Sequence, residues 1–450
     1  MKLRKKMSPT NVIILGFLAI ILVGTLLLVM PFSSASNEFT SPLTALFTAT
    51  SATCVTGLIT VDTGIYWSVF GKGVILLLIQ IGGLGFMSLA MVFLTLLKRR
   101  VSPREQLLFT QSMNLDPYSD LASFAYRITL FAFSAEGLGA LLLSFRFVPQ
   151  FGVLKGICFS IFHSVSAFCN AGFDVLGNRF GEFASISAYA DDVYINLVLS
   201  LLVISGGLGF LVWDDVRCFL TKKSRLSLYS KMILGFTATL LLGGTLFVAL
   251  AEWNNPETLG NGNALTKITR AFFQSVTLRT AGFSSINQAA LLEETKLCSM
   301  LLMFIGGSSG STAGGIKTGT ILIVIASTLS IIRGDEHAVF GKRRIENETV
   351  RRAFALFVIG LLTVAISGFT LAFVDDISIV DAFFEVFSAF GTVGITVGIT
   401  SSLSTFGQLL IIGLMFFGRI GVTSVMYAIL VRNNREKVNI GYPKMNLPIG

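Results

Sequence analysis

Long apolar runs, broken by short semi-polar stretches and by clusters of lysine and arginine, set the pattern of this chain. Eight runs qualify as membrane crossings: residues 11–30, 71–97, 123–148, 195–213, 232–250, 297–332, 353–374 and 406–431, the sixth of them interrupted. About 20 apolar residues in a helix cover a bilayer core of roughly 30 Å. The first run follows the basic start Lys2, Arg4, Lys5 and Lys6. A signal peptide has a shorter apolar core and a small-residue cleavage site, so a retained helix is predicted here.

The basic residues fall at the start, after every second run, and at the end. They include Lys98, Arg99, Arg100 and Arg104; Arg217, Lys222, Lys223, Arg225 and Lys231; Arg333, Lys342, Arg343, Arg344, Arg351 and Arg352; and Arg432, Arg435, Lys437 and Lys444. The opposite loops, such as Asn37-Glu38 and Asp375-Asp376, are acidic or neutral. Lysine and arginine stay on the cytoplasmic side. A multi-pass protein of the plasma membrane with both termini in the cytoplasm is therefore predicted.

Between the two runs of each pair lies a stretch too short to cross twice. The four stretches run from Phe47 to Gly57, Phe162 to Gly172, Phe272 to Gly282 and Phe384 to Gly394, each with phenylalanine ten positions before glycine. Those glycines are 115, 110 and 112 residues apart. A second element recurs in the second run of each pair: Gly82-Gly83-Leu84-Gly85, Gly206-Gly207-Leu208-Gly209, Gly306-Gly307-Ser308-Ser309-Gly310 and Gly418-Arg419-Ile420-Gly421. Matched content at a near-constant period marks internal duplication. The predicted fold is an all-α membrane protein of four tandem helix–pore loop–helix repeats, eight transmembrane helices around one central pore, as in potassium channels. The repeats are bounded at 1–106, 107–228, 229–345 and 346–450.

Composition narrows the reading. Of 450 residues, 53% are hydrophobic and only 13% charged, against about 25% charged in soluble domains. The net charge of +9 sits beside apolar runs, which argues against a nucleic-acid partner. Five scattered cysteines and two histidines support neither a disulfide framework nor a zinc or histidine metal site. No nucleophile–base pair stands out, so no enzyme and no cofactor is expected.

Irregular backbone at membrane depth is tolerated only inside protein or along a wet cavity. Glycine supplies φ > 0 at little cost, which lets successive carbonyls point one way and replace the hydration shell of a monovalent cation. The half-helix ahead of each loop would aim its partly negative C-terminus at the cavity. Only Thr392-Val393-Gly394 has the start of a potassium-channel filter; Val55-Thr56-Gly57, Asn170-Ala171-Gly172 and Thr280-Ala281-Gly282 predict a less regular one. Close helix packing is the competing reading of these glycines, chiefly for Gly82, Gly83, Gly206 and Gly207.

The sixth run contains Gly306, Gly307, Ser308, Ser309, Gly310, Ser311, Thr312, Ala313, Gly314, Gly315, Ile316, Lys317, Thr318 and Gly319. Six glycines in fourteen residues rule out a stable uninterrupted helix, at about 1 kcal/mol for each interior glycine. A loop just below the filter could obstruct the pore; a kinked helix without a gating role is the alternative. The Gly-Gly-Ile-Lys-Thr segment lacks the adjacent Gly-Lys of a phosphate-binding loop. Arg419, a cation at membrane depth, is a functional candidate, either as a gate with the loop or in a structural pair with an acid such as Glu136. Arg279 is expected to point into a supporting pair. Glu136 and Glu385 read as helix-packing partners, and His163 as a satisfied interior histidine. Asn347-Glu348-Thr349 matches a glycosylation acceptor but falls on the cytoplasmic side.

With these motifs in place, the chain resembles the Trk/Ktr/HKT potassium transporters over nearly its whole length, and most of all the bacterial Ktr membrane subunits. The resemblance implies potassium coordination by carbonyls of Val55, Thr56, Asn170, Ala171, Thr280, Ala281, Thr392 and Val393, with Gly57, Gly172, Gly282 and Gly394 completing the filter. It implies a gating loop at 306–319 and a pore arginine at Arg419. It also implies a homodimer in the membrane and a separate cytosolic ring of nucleotide-binding RCK-type subunits. Potassium is the implied substrate, with sodium a further ion or stimulant. Alternating access is the competing mechanism, since broken helices mark secondary transporters too; same-orientation repeats argue against it.

Overall fold

The computed structural model describes residues 9–85, 121–222, 224–341 and 343–421, together with Ser88 and Thr110. Among these described residues, four helices are long and apolar enough to cross a bilayer: Asn11–Val29, Ser123–Phe151, Leu228–Glu252 and Asn347–Asp375, of 19, 29, 25 and 29 residues. At about 1.5 Å per residue, even the shortest nearly spans the hydrocarbon. Large apolar side chains such as Phe373 (89% exposed) and Leu250 (74%) face outward. Such a surface suits lipid and not water.

The second run of each pair departs from the continuous crossing expected of it. The corresponding helices, Val69–Leu84, Val193–Gly207, Glu293–Phe304 and Thr405–Ile420, are too short to span alone. Each stops at the glycine element. The second resumes as Phe210–Lys222 after a bend of 100°, and the third only at Thr318–Ile332. The expected continuations to 97 and 431, the basic clusters at 98–104 and 432–444, and the boundary at 106 lie outside the described residues.

Close approach explains where these helices stop. A Cβ on Gly82, Gly206 or Gly418 would overlap the carbonyl oxygen of Thr53, Phe168 or Phe390, the residue four before the loop glycine of the same segment. Gly83 packs as tightly, since its Cβ would stand 2.6 Å from Cys169 Sγ. The packing reading therefore holds for Gly82, Gly83 and Gly206. It does not hold for Gly207, whose Cβ would meet only Asn170 Nδ2 at 3.5 Å.

Four short helices lie between the helices of each pair: Pro42–Cys54, Val153–Phe168, Ala264–Thr277 and Ile379–Gly391. Local chemistry starts them. Pro42 occupies a first-turn position, where its missing N–H costs nothing, and Asn263 and Ser378 accept from the N–H of Thr266 and Asp381 at 2.9 and 3.1 Å. Their order in space follows the chain. Val69–Leu84 packs on Val153–Phe168, Val193–Gly207 on Ala264–Thr277, Glu293–Phe304 on Ile379–Gly391, and Thr405–Ile420 returns to Pro42–Cys54. The ring thus closes. Phe304 anchors one corner against Phe390 and Phe387 at 5.9 and 5.7 Å, and Lys296 pairs with Asp381 at 2.9 Å across the same joint.

Candidate ion pathway

At the centre of the ring the four loops share one backbone signature. The residue two before each glycine is left-handed: Val55 (φ 58°), Asn170 (60°), Thr280 (64°) and Thr392 (51°). The glycines follow at φ 99° for Gly57, 69° for Gly172, 81° for Gly282 and 89° for Gly394. Left-handed backbone costs a non-glycine residue of order 1–2 kcal/mol, and three of these four residues are β-branched. Strain of this kind persists only where the surroundings enforce it.

Hydrogen bonds from the short helices do the enforcing. Ser51, Ser166 and Ser388 carbonyls accept from the N–H of Thr56, Ala171 and Val393 at 2.8, 2.7 and 2.8 Å. The Ser51 and Ser388 hydroxyls accept from Gly57 and Gly394 N–H, both at 3.1 Å. Ser166 Oγ instead donates to Phe173 O at 2.7 Å. The third loop is built one residue shorter. Thr277 does both jobs there, accepting from Ala281 N–H at 3.0 Å and donating to Phe283 O at 2.6 Å. Its fully buried phenylalanine is accordingly Phe273, and Phe272 packs only at the margin. The ungapped alignment from Phe272 hides this slip.

The loops approach one another in chain order. A Cβ on Gly57 would lie 2.5 Å from Ala171 O, one on Gly172 2.5 Å from Gly282 Cα, one on Gly282 2.8 Å from Val393 O, and one on Gly394 would overlap Thr56 O. Carbonyls of Thr56, Ala171, Ala281 and Val393 all crowd onto a neighbouring loop's glycine. Val55, Thr56, Asn170, Ala171, Thr280, Ala281, Thr392 and Val393 are all buried. What meets at the centre is main-chain oxygen. Among the described residues no group of three histidine, cysteine or acidic side chains could hold a metal.

The break at 305–317 lies beneath this ring, with a cradle at Gly314 whose Cβ would strike Thr392. A helix C-terminus leaves carbonyls without partners, and the loop takes up those of the stopped helices. Ser308 and Thr312 N–H donate to Gly207 and Gly206 O at 3.1 and 3.3 Å, and Gly315 N–H donates to Gly418 O at 3.2 Å. Arg419 completes the set, donating to Thr312 O and Gly82 O, and to Gly83 O at 3.1 Å. Lys317 Nζ folds back onto Ala313 O at 2.5 Å.

The partners of the other singled-out residues differ in part from expectation. Arg419 binds carbonyls and not Glu136, whose carboxylate instead accepts from Gln80 at 3.1 Å. Arg279 has Gly306 O and Thr318 Oγ1 as partners at 3.3 and 3.2 Å, where a supporting pair was expected. Glu385 is buried against Thr400. His163 is only half satisfied: Nδ1 meets Phe159 O at 2.7 Å, whereas Nε2 has no partner among the described residues. Sequence reasoning missed the bridge in which Asn170 Nδ2 donates to Thr280 Oγ1 at 3.3 Å and Thr312 Oγ1 donates to Asn170 Oδ1 at 3.2 Å. It also assigned no part to Ser51, Ser166 and Ser388.

Just outside the ring, Asp174 is buried and accepts from Leu176 N–H at 3.1 Å. Burial, with a smaller push from Asp62, raises its carboxyl from 3.8 to about 7. The penalty for ionising it in the fold grows as pH rises from 3.8 to 7 and is complete above that range. Asp174→Asn is therefore expected to raise the melting temperature at pH 8 and to leave it almost unaltered at pH 4. A purified-protein thermal melt at the two pH values checks this, and equal shifts at both would contradict it.

Re-entrant backbone gathered inside a shell of lipid-facing helices, with carbonyls and not side chains at its heart, defines a multi-pass membrane transport protein. The particular family follows from comparison: the chain belongs to the TrkH cation transport protein family, whose profile matches residues 3–439. It is 41% identical over 453 residues to the potassium/sodium uptake protein NtpJ of Enterococcus hirae, covering 100% of this chain and 99% of that one. It is 39% identical over 446 residues to the Ktr system potassium uptake protein B of Bacillus subtilis, covering 97% and 96%. The crystal structure of the potassium transporter TrkH from Vibrio parahaemolyticus superposes with a TM-score of 0.71 at 19% identity, over 95% of this chain and 86% of that one. That likeness establishes the shared fold. The family is one of transporters, and this chain is not an enzyme.

Proposed function

We propose that the chain is the ion-translocating subunit of a potassium uptake system, passing K+ inward down the membrane potential. In this reading the segments 1–106, 107–228, 229–345 and 346–450 are four tandem repeats, giving eight transmembrane segments around one pore with both termini cytoplasmic. Carbonyls of Val55, Thr56, Asn170, Ala171, Thr280, Ala281, Thr392 and Val393 bind the dehydrated ion beside Gly57, Gly172, Gly282 and Gly394. The 306–319 loop and Arg419 form the gate.

The observation that carries this reading is the close approach of the four loops at their glycines, in chain order, with one backbone conformation in all four. Four loops that meet in a single ring, each after a short helix, favour a channel-like path over two inverted halves. The names of the potassium/sodium uptake protein and the Ktr potassium uptake protein support K+ as the ion, with Na+ as a second. A membrane homodimer and a cytosolic nucleotide-binding ring of RCK type are the partners that the family resemblance suggests. Potassium is substrate, and the chain itself holds no cofactor.

Cells lacking their own potassium uptake, given this chain, are expected to accumulate K+ from low external concentrations, and faster than Na+. Uptake should collapse when the inside-negative potential is dissipated. Absence of K+ uptake by a chain inserted in the membrane would end the reading.

A further inference from the structure

Arg279 occupies the position three before its loop glycine, where the other segments carry Cys54, Cys169 and Gly391. A guanidinium replaces a thiol or a hydrogen there, in the one segment whose second helix is broken across 305–317. The two departures meet in space. In the other three segments the element glycine lies on the carbonyl of the residue four before the loop glycine; Gly306 does not lie on the equivalent Leu278, and a Cβ on it would meet Gly314 and Ile316 oxygens instead. The vacated contact is replaced by Arg279, which donates from Nη2 to Gly306 O at 3.3 Å and Thr318 Oγ1 at 3.2 Å.

Those acceptors are the two ends of the loop. Gly306 N–H donates to Ile316 O at 2.9 Å, Thr318 N–H to Gly307 O at 3.0 Å, and Thr318 Oγ1 to Gly306 O at 2.8 Å. The neck is therefore closed on itself and then clamped to the backbone of the third filter strand. Arg279 is buried, with 8% exposure, and among the described residues it has no acidic partner. Its charge rests on the Gly306 carbonyl, the Thr318 hydroxyl and the partly negative C-terminus of Ala264–Thr277. Removing one side of a buried charged contact costs more than the contact's net worth, so both loop ends and filter strand are held by one side chain.

We propose that Arg279 is a positioning residue that couples the third filter strand to the neck of the 306–319 loop, so that loosening it disturbs ion preference and gating together. The proposal rests on the filter and gate reading above. The neck stays pinned while the middle of the loop, held by Thr312 and Arg419, is the part free to leave the pathway.

The test uses the full chain and a chain lacking residues 308–313, whose cut ends already lie together because Gly306 abuts Gly314. In the full chain, Arg279→Gln is expected to raise K+ uptake severalfold and to lower K+ over Na+ preference severalfold, with Arg279→Lys restoring part of both. In the shortened chain Arg279→Gln should still lower preference but add nothing to the rate, the non-additivity expected of coupled sites. A preference change without a rate change in the full chain, or additive rates in the shortened one, would overturn the coupling. A shortened chain no faster than the full one would instead refute the gate reading. Should the Arg279 variants fail to reach the membrane, Thr318→Val, which removes one acceptor of Arg279, decides: a faster rate together with a lowered preference supports the coupling, and a change in only one of the two, or in neither, overturns it.

Discussion

Gly57→Ser is expected to cut the preference for potassium over sodium by about tenfold or more, equivalent to about 1.4 kcal/mol in relative affinity. Two independent features of the loop produce the effect. Gly57 sits at φ 99°, a region in which an L-residue is strained by of order 1–3 kcal/mol. Its Cβ would also stand 2.5 Å from Ala171 O, well inside contact distance. The loop must therefore twist, moving the oxygens of two strands from where a dehydrated ion needs them. Preference for potassium depends on oxygens placed to replace its hydration shell better than that of sodium, so its advantage falls when they move. Gly394→Ser should cost more, because its Cβ would overlap Thr56 O outright. Competitive uptake of K+ and Na+ by cells or vesicles checks both, and an unaltered preference in both variants would rule out the carbonyl filter.

Deleting residues 308–313 should raise inward cation flux by about tenfold. The loop is held under the ring by Ser308 and Thr312 N–H on Gly207 and Gly206 O, at 3.1 and 3.3 Å, and by Arg419 on Thr312 O. Hydrogen bonds to a charged group contribute about 1.5–3 kcal/mol net. Losing even one such tie shifts a two-state equilibrium by roughly tenfold or more. The deletion also leaves Gly206 and Gly207 carbonyls unpaired on the pathway, where they attract rather than repel cations. Arg419→Gln should act in the same direction but less strongly, since the loop remains. The check is initial-rate uptake at fixed membrane potential; lower flux from a normally inserted deletion would show that the loop supports the pathway instead of closing it.

The fold was legible in the chain to an unusual depth because the bilayer constrains local sequence so strongly. Apolar runs of the right length, the alternation of basic clusters, and a glycine recurring after each short helix are all local patterns. Each has one dominant physical cause. The expected interruption of the sixth run appears as a break between Phe304 and Thr318. The remaining second runs were read as unbroken because their apolar character continues past the point where Gly85, Gly209 and Gly421 adopt φ 77°, 89° and 86°. Hydropathy cannot register a backbone turn that leaves the side chains equally apolar.

By itself the sequence determined the long apolar helices, the fourfold recurrence of a phenylalanine-to-glycine stretch, and positions at which glycine is needed. These depend on hydropathy and on steric limits within a few residues. Tertiary structure alone decided that the loops close into a ring, that the third segment is one residue short between Phe273 and Gly282, that Arg419 seeks carbonyls rather than Glu136, and that Arg279 seeks a carbonyl and a hydroxyl rather than an acid. Those outcomes depend on which backbone oxygens the stopped helices leave without partners, and on what distant side chain lies near enough to take them.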